Sequence, residues 1–210
     1  MRKDALIEIV QSSLMQLDKT SKYHDKLVES YISMASNMVL GKLFLRDMSN
    51  YDLYAKEYTG VTVSQDATTE RYYSEYPAPI VQTIDVAKGV RSINTTTGTG
   101  LQFAPVRKGE ISIFEDLDIA TVIDVIPYIP EQGRILYIGT PVDYLGNVIT
   151  SVRMSLVVPF TEYDNDEHFY IPGGSDIELI NTVIELMGRI PPKDLLNNES
   201  DRLNIQRNDQ

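Results

Sequence analysis

Between Tyr23 and Leu45 the sequence carries two adjacent apolar rows at helical spacing. Tyr23, Leu27, Tyr31, Met34 and Met38 step by three and four, and Val28, Ile32, Ala35 and Val39 run beside them. Rows at i, i+3, i+4 and i+7 lie on one side of an α-helix, so this stretch predicts a helix of about six turns, roughly 30 Å long at 1.5 Å per residue. A stripe this broad exceeds what one small partner helix covers. The helix therefore calls for several neighbours, from the same chain or from other copies of it. Leu27, Val28, Tyr31, Ile32 and Met38 are the candidate oligomer-interface residues.

The rest of the chain arranges itself around that helix. Residues 4–17 predict a shorter first helix with Asp4 as its N-cap, Leu6, Val10, Leu14 and Leu17 on one face and Ile9 beside them. The polar run Asp18–Lys22 is short enough to make the two helices an antiparallel pair. Arg46, Asp47, Ser49 and Asn50 end the second helix.

From Tyr51 to Phe160 helical periodicity disappears. Short β-rich runs alternate with turn residues: Glu57–Val63, Arg71–Tyr76, Ile80–Val86, Leu101–Val106, Glu110–Phe114, Thr121–Tyr128, Arg134–Ile138 and Val148–Val158. Strands at this spacing suggest an antiparallel sandwich or small barrel. Thr95–Gly100 is too small and polar to bury anything and reads as a hairpin tip or long loop.

A last helix follows Pro172-Gly173-Gly174. Ser175 and Glu178 have capping-box spacing, Ile177, Ile180, Val183, Ile184 and Met187 form its apolar face, and Gly188, Arg189 and Pro191-Pro192 close it. Residues 191–210 are polar, with Leu195, Leu196, Leu203 and Ile205 scattered among charges. Such a segment is either disordered or an arm that docks elsewhere.

The expected fold class is α+β: a small helical bundle of two N-terminal helices and one C-terminal helix, a β-rich antiparallel insertion, and an extended C-terminal tail. The expected division is residues 1–50, the helical pair; 51–160, the insertion; 161–190, an acidic loop and the helix that packs on the pair; and 191–210, the tail arm.

Charge and motif content narrow the function. The net charge is −11 and the pI about 4.6, a balance that does not grip a phosphate backbone by counterion release. Mean hydropathy is −0.18, and no run reaches the eighteen or so apolar residues a bilayer span needs, so no membrane partner is expected. Met1-Arg2-Lys3-Asp4 runs directly into an amphipathic pattern and does not read as a signal peptide. The Asn94 and Asn198 sequons carry no meaning without one. Cysteine is absent, which excludes disulfides and thiolate zinc sites.

His24 opens the long helix among charged neighbours, as a solvated first turn. His168 follows Glu162, Asp164, Asp166 and Glu167, but a calcium loop needs a glycine at its sixth position and Phe169 stands there. No Gly-x-Ser-x-Gly or phosphate-binding loop occurs. The pairs among Glu115, Asp116, Asp118 and Asp124 are what any acidic chain contains. The reading is of a non-enzyme with no cofactor and no metal. Tyrosines at 51, 54, 58, 72, 73 and 76 form a dense group that suits either an interface or an ordinary sheet surface.

Both ends of the chain resemble the head-to-tail connector (adaptor or ring) proteins of tailed bacteriophages, in particular those of crAss-like phages. The likeness runs from Ile9-Val10 through Lys22-Tyr23-His24 to Leu45. It resumes at Leu156-Val157-Val158-Pro159-Phe160, the acidic loop, Tyr170-Ile171-Pro172-Gly173-Gly174, the last helix and Pro191–Asn198. It covers about half of the chain and leaves residues 51–144 without a counterpart.

The resemblance implies a virion structural protein, assembled in the host cytoplasm as a dodecameric ring below the portal. Its partners would be the portal protein and neighbouring ring or tail proteins, and DNA would pass through the ring without specific binding. In that setting Leu195, Leu196, Leu203 and Ile205 would be the contacts of the tail arm. Glu115, Asp116, Asp118, Glu162, Asp164 and Asp166 would be candidates for an acidic channel lining. Two other classes stay open: a non-catalytic carbohydrate- or peptide-binding β-module with helical flanks, and a hydrolase using scattered carboxylates.

Overall fold

The structure, a computed structural model, describes residues 1–17, 23–46, 54–81, 89–96, 102–111, 125–170 and 175–188. Among these the helices are α1 (Lys3–Leu17), α2 (Asp25–Arg46) and α3 (Asp176–Gly188). The strands are β1 (Lys56–Thr62), β2 (Ser64–Gln65), β3 (Tyr72–Glu75), β4 (Val90–Thr95), β5 (Gln102–Pro105), β6 (Val125–Pro130), β7 (Arg134–Tyr137) and β8 (Ser151–Leu156). The fold is α+β. The chain divides into two compact units, Met1–Leu40 with Tyr163–Gln210, and Gly41–Glu162.

The first unit joins two stretches that are distant in sequence. α1 buries Leu6, Val10 and Leu14, one residue per turn. α2 buries Val28, Ile32, Ala35 and Val39 together with Ser33 and Ser36. The Ser36 hydroxyl donates to the Ser33 carbonyl at 2.9 Å, which satisfies it inside the core. α3 buries Leu179, Val183 and Met187 at strict i, i+4 spacing.

The segment before α3 is tied to the chain start by backbone. Lys3 N–H donates to Glu167 O at 3.1 Å and Phe169 N–H to Met1 O at 2.7 Å, while Arg2 and His168 form an isolated antiparallel bridge. Lys3 itself is buried. Its ammonium pairs with Glu29 and donates to the Tyr163 carbonyl at 2.7 Å. One cation thus joins α1, α2 and the returning segment.

The second unit holds two sheets, ordered β1-β8-β4 and β2-β3-β7-β6-β5. β8 alternates strictly, with Val152, Met154 and Leu156 buried and the residues between them half-buried, as a strand with one core face should. β6 instead reads Val-Ile-Pro-Tyr-Ile-Pro with Ile126 to Ile129 all buried, the pattern of a strand covered on both faces. Its prolines sit at tolerant places. Pro127 lies opposite Ile138, just past the end of β7, and Pro130 lies beyond the end of β5. Ser74 is buried and shares a 3.0 Å hydrogen bond with the Tyr137 hydroxyl.

Several expectations need correction. β5 and β6 run parallel, because residues 106–124 connect them and a connection of a dozen or more residues permits a crossover. The run expected as a strand from Glu110 begins in a 3-10 turn, Lys108–Glu110, and its remainder lies outside the described residues. β4 and β2 were not expected. Thr95, read as part of a loop that buries nothing, is a buried residue of β4, and Thr96 donates to the Ser151 carbonyl at 3.3 Å. Of the run Ile80–Val86, Ile80 and Val81 are not in a strand, although Val81 is buried and donates to Val157 O at 2.9 Å, and the rest lies outside the described residues. Only Ser151–Leu156 of the run Val148–Val158 is strand.

Two helix details shift as well. Asp4 lies inside the first turn of α1 rather than capping it, where its carboxylate accepts from Ala5 N–H and pairs with Arg2, both at 2.7 Å. Ile177 is 71 % exposed and Leu179 takes the inner face, since a residue two positions before Leu179 points to the opposite side of an α-helix.

Replacing Lys3 by Ala should destabilise the protein by about 2–3 kcal/mol, because it leaves the half-buried Glu29 and the Tyr163 carbonyl short of a partner. The urea midpoint measured by circular dichroism checks this. An unchanged midpoint would mean the buried pair is energetically neutral.

Candidate functional site

The first candidate is the outer row of α2. Leu27, Met34 and Met38 are 38, 51 and 49 % exposed and Tyr31 is half-buried. These residues follow the 4-3-4 spacing of a helix-helix seam. Val28 and Ile32, expected at an oligomer interface, are fully buried in the chain's own core. This is a correction with a simple cause: they project about one row around the helix from Leu27 and Tyr31, onto the side that Ser33, Ala35 and Ser36 make narrow enough for close packing. The helix opens at His24, whose carbonyl accepts from Leu27 and Val28 N–H at 2.9 and 3.2 Å.

From Tyr163 onward the acidic loop is built into the first unit, while Glu162 ends the second. Asp164 N–H donates to the Glu167 carboxylate at 2.8 Å, and Asn165 O accepts from Asp4 N–H at 3.2 Å. Asp164 and Asp166 face solvent and Glu162 is half-buried. Glu115, Asp116 and Asp118 lie outside the described residues. So do Leu195, Leu196, Leu203 and Ile205, and with them the tail arm.

The second candidate is a cleft of about 470 Å³ in the second unit, lined by β1, by Ser64 of β2 and by the stretch from Tyr73 to Pro77. β1 pairs with β8 but carries a bulge at Thr59-Gly60, where the register shifts between Tyr58 and Val61. Gly60 has φ +74°, a left-handed conformation that glycine adopts without strain. β3 contributes Tyr73 and Glu75 from one face and is followed by Tyr76. Lys56 Nζ stands 5.9 Å from the centroid of the Tyr58 ring, and Arg134 Cζ 5.6 Å from that of Tyr73. Both cations are anchored elsewhere too. Lys56 donates to Glu162 O at 3.0 Å and Arg134 pairs with Glu131 at 3.2 Å. Lys108 and Arg134 together hold the Glu131 carboxyl below its ordinary range.

Behind the cleft, burial raises the hydroxyl pKa of Tyr76, Tyr128 and Tyr137, the last two to about 12. These phenols stay neutral at physiological pH; Tyr137 shares its hydroxyl with Ser74, whereas the Tyr76 hydroxyl is buried without a hydrogen-bond partner among the described residues. The dense tyrosines of the sequence therefore divide into roles. Tyr58 and Tyr73 line the cleft, Tyr76 lines it with its hydroxyl buried, and Tyr51 lies outside the described residues. Periodicity gave no sign of the cleft, since its lining brings together strands of two different sheets. Gly60 between Thr59 and Val61 is the one local signal.

No protein-family model matches this chain, and no curated protein does. No helix among the described residues is long and apolar enough to cross a membrane.

A third feature is the turn that sets the cleft's far wall. The Asp66 carboxylate accepts from Thr68 and Thr69 N–H, each at 2.9 Å, and Glu70 takes φ +56°. This fixes the β2–β3 register of Ser64 with Tyr73 and Gln65 with Tyr72. A similar cap, Asp143 over Leu145 and Asn147 N–H, presents Leu145 at 86 % exposure.

Two predictions follow from these placements. Val28→Asp or Ile32→Asp should cost more than about 4 kcal/mol and unfold the monomer, whereas Met34→Asp or Met38→Asp should leave the thermal midpoint nearly unchanged. Melting curves of the four variants decide whether the two rows differ as described. The Asp66 pKa is lowered from 3.8, first by the Thr69 and then the Thr68 backbone hydrogen bond. A depressed folded value gives stability that is full above 3.8 and is lost as pH falls through the lower folded value. Thr68 and Thr69 amide shifts should therefore hold steady from neutral pH down to 3.8 and move only below it, and Asp66→Asn should abolish that transition.

Proposed function

We propose that this chain is a structural subunit of the head-to-tail connector of a tailed bacteriophage, a protein that works by assembling rather than by catalysis. It forms a ring with copies of itself below the portal, extends the DNA channel and offers a platform to tail proteins. The observation that carries the reading is the outer row of α2. A helix whose inner row completes its own core, yet which shows Leu27, Met34 and Met38 to solvent in seam spacing, presents an ordered apolar line rather than scattered surface residues. The chain-end resemblance supports the same reading.

Two further features fit it. The tail residues Leu195, Leu196, Leu203 and Ile205 supply apolar contacts for an arm onto a neighbouring subunit. The surplus of carboxylates suits a channel that conducts DNA without holding it, since basic walls would capture phosphates. Screening over about 8–10 Å limits that role to residues at the wall, and the exposed Asp164 and Asp166 are the candidates among the described residues.

Co-sedimentation with a purified portal complex tests the reading. The full chain should bind. A Met34→Asp, Met38→Asp double variant and a truncation after Ile190 should each stay folded yet bind at least about tenfold more weakly. Full binding by both would remove the outer row and the arm from any interface and leave the assembly reading without support.

A further inference from the structure

Two strand edges border the cleft between β1 and β3, and both are open there. β1 is an outer strand of its three-stranded sheet, with β8 on its other side. Val63 N–H donates to Thr150 O at 2.9 Å, on the side of β8, so by alternation the N–H and C=O of Thr62 point to the free edge. In the other sheet β2 is the outer strand, but it covers only Tyr72 and Tyr73 of β3. Tyr76 N–H donates to Gly133 O at 3.1 Å, on the side of β7. The N–H and C=O of Glu75 therefore point the other way, to the side that β2 leaves open. Unpaired edge groups of this kind are templates for another strand.

Charge narrows the class of strand. The Glu75 carboxylate is exposed and has no ion-pair partner among the described residues. Arg134, opposite it on β7, is turned to the Tyr73 ring and to Glu131. A strand that carries a cation suits that carboxylate, whereas a lone cation would leave the edge groups unused. The chain itself supplies such a strand. Residues 202–207 read Arg-Leu-Asn-Ile-Gln-Arg, two cations and no anion in a chain whose net charge is −11. Leu203 and Ile205 alternate with Asn204 and Gln206, the period of a strand with one apolar side. Residues 189–201 separate this stretch from the end of α3 at Gly188. Extended, they reach roughly 40 Å, about twice the radius of gyration of a compact chain of this length, which is enough to leave their own subunit.

We propose that the β1–β3 cleft receives residues 202–207 of a second copy of this chain as an added strand on the β1 edge, with an arginine of that strand on Glu75. Main-chain hydrogen bonds supply the attachment, and the side chains on either side of the strand supply the selection. Val61, Tyr76 and Pro77 of the lining offer apolar contact to Leu203 and Ile205. The Thr59-Gly60 bulge interrupts β1 and keeps the added strand short. The inference rests on the connector reading for the identity of the donor, and it gives the tail arm its landing place.

An NMR titration tests it. The acceptor is the full chain carrying Leu203→Asp and Ile205→Asp, so that its own tail does not compete, and the probe is a peptide of residues 202–207 with blocked ends. The Thr62 and Glu75 amide resonances should move, and their exchange with solvent should slow. Glu75→Arg in the acceptor should weaken the peptide at least about tenfold, and a peptide carrying Arg202→Glu and Arg207→Glu should recover binding to that acceptor. Methylating the Asn204 and Ile205 nitrogens should abolish binding, because one of two successive residues must face the edge. Absent shifts overturn the proposal, and so does a methylated peptide that binds as well as the plain one. Free arginine amide that moves the Glu75 resonance as strongly as the peptide would give the cleft to an organic cation and likewise overturn it. Portal binding by the parent chain separates the two readings. If the portal binds and the peptide does not, this inference alone fails; if the peptide binds and the portal does not, the cleft assignment stands and the connector reading fails.

Discussion

The buried ammonium of Lys3 is the constraint on which the helical unit depends. The unit is assembled from Met1–Leu40 and from residues after Tyr163, so something must bring chain segments far apart in sequence into one core. Apolar burial supplies the driving force through Leu6, Val10, Leu179 and Val183, but such contacts are non-directional. Lys3 adds direction, because an ammonium removed from water must find its partners, and here they are Glu29 on α2 and the Tyr163 carbonyl. With Lys3 seated, backbone bonds from Lys3 and Phe169 close the junction. The acidic loop is then fixed beside α1, and the rotation of α2 that hides Val28 and Ile32 turns Leu27, Met34 and Met38 outward.

In the β-rich unit the corresponding devices are short carboxylate-capped turns. Asp66 and Asp143 each accept two backbone N–H groups within their own loops, and both carboxyls are held below their ordinary value by those bonds. These caps make small connections rigid. Asp66 thereby sets the register of the strand that carries Tyr73 and Glu75, and the bulge at Gly60 shifts the register of β1 on β8. The cleft follows from those local geometries, with the Tyr137–Ser74 hydrogen bond fixing the sheet behind it.

How much of this could be read from residues varied with the strength of their periodicity. α1 and the inner row of α2 were legible because Leu6, Val10, Leu14 and Val28, Ile32, Val39 repeat at helical spacing. Which of the two rows on α2 faces inward was not, because both are apolar. The deciding signal was the small buried set Ser33, Ala35 and Ser36, which the larger methionines overshadow. β4 escaped notice because its bulge between Val90 and Ser92 breaks the period of two that Val90, Ile93 and Thr95 would otherwise show. The parallel pairing of β5 with β6 depends on a long connection and on burial from both faces, neither of which a local pattern encodes. The tyrosine density near residues 58–76 was visible, but the cleft is lined by strands of two different sheets, a tertiary property.

We propose that this chain completes its own helical core and uses the outer row of α2 for assembly. Electron-microscopy class averages of the purified protein mixed with a purified portal complex address it most directly. The account predicts closed rings stacked on the portal, with α2 lying along the contact between adjacent subunits. Single copies bound at scattered positions, or rings whose contacts leave Leu27, Met34 and Met38 bare, would contradict it.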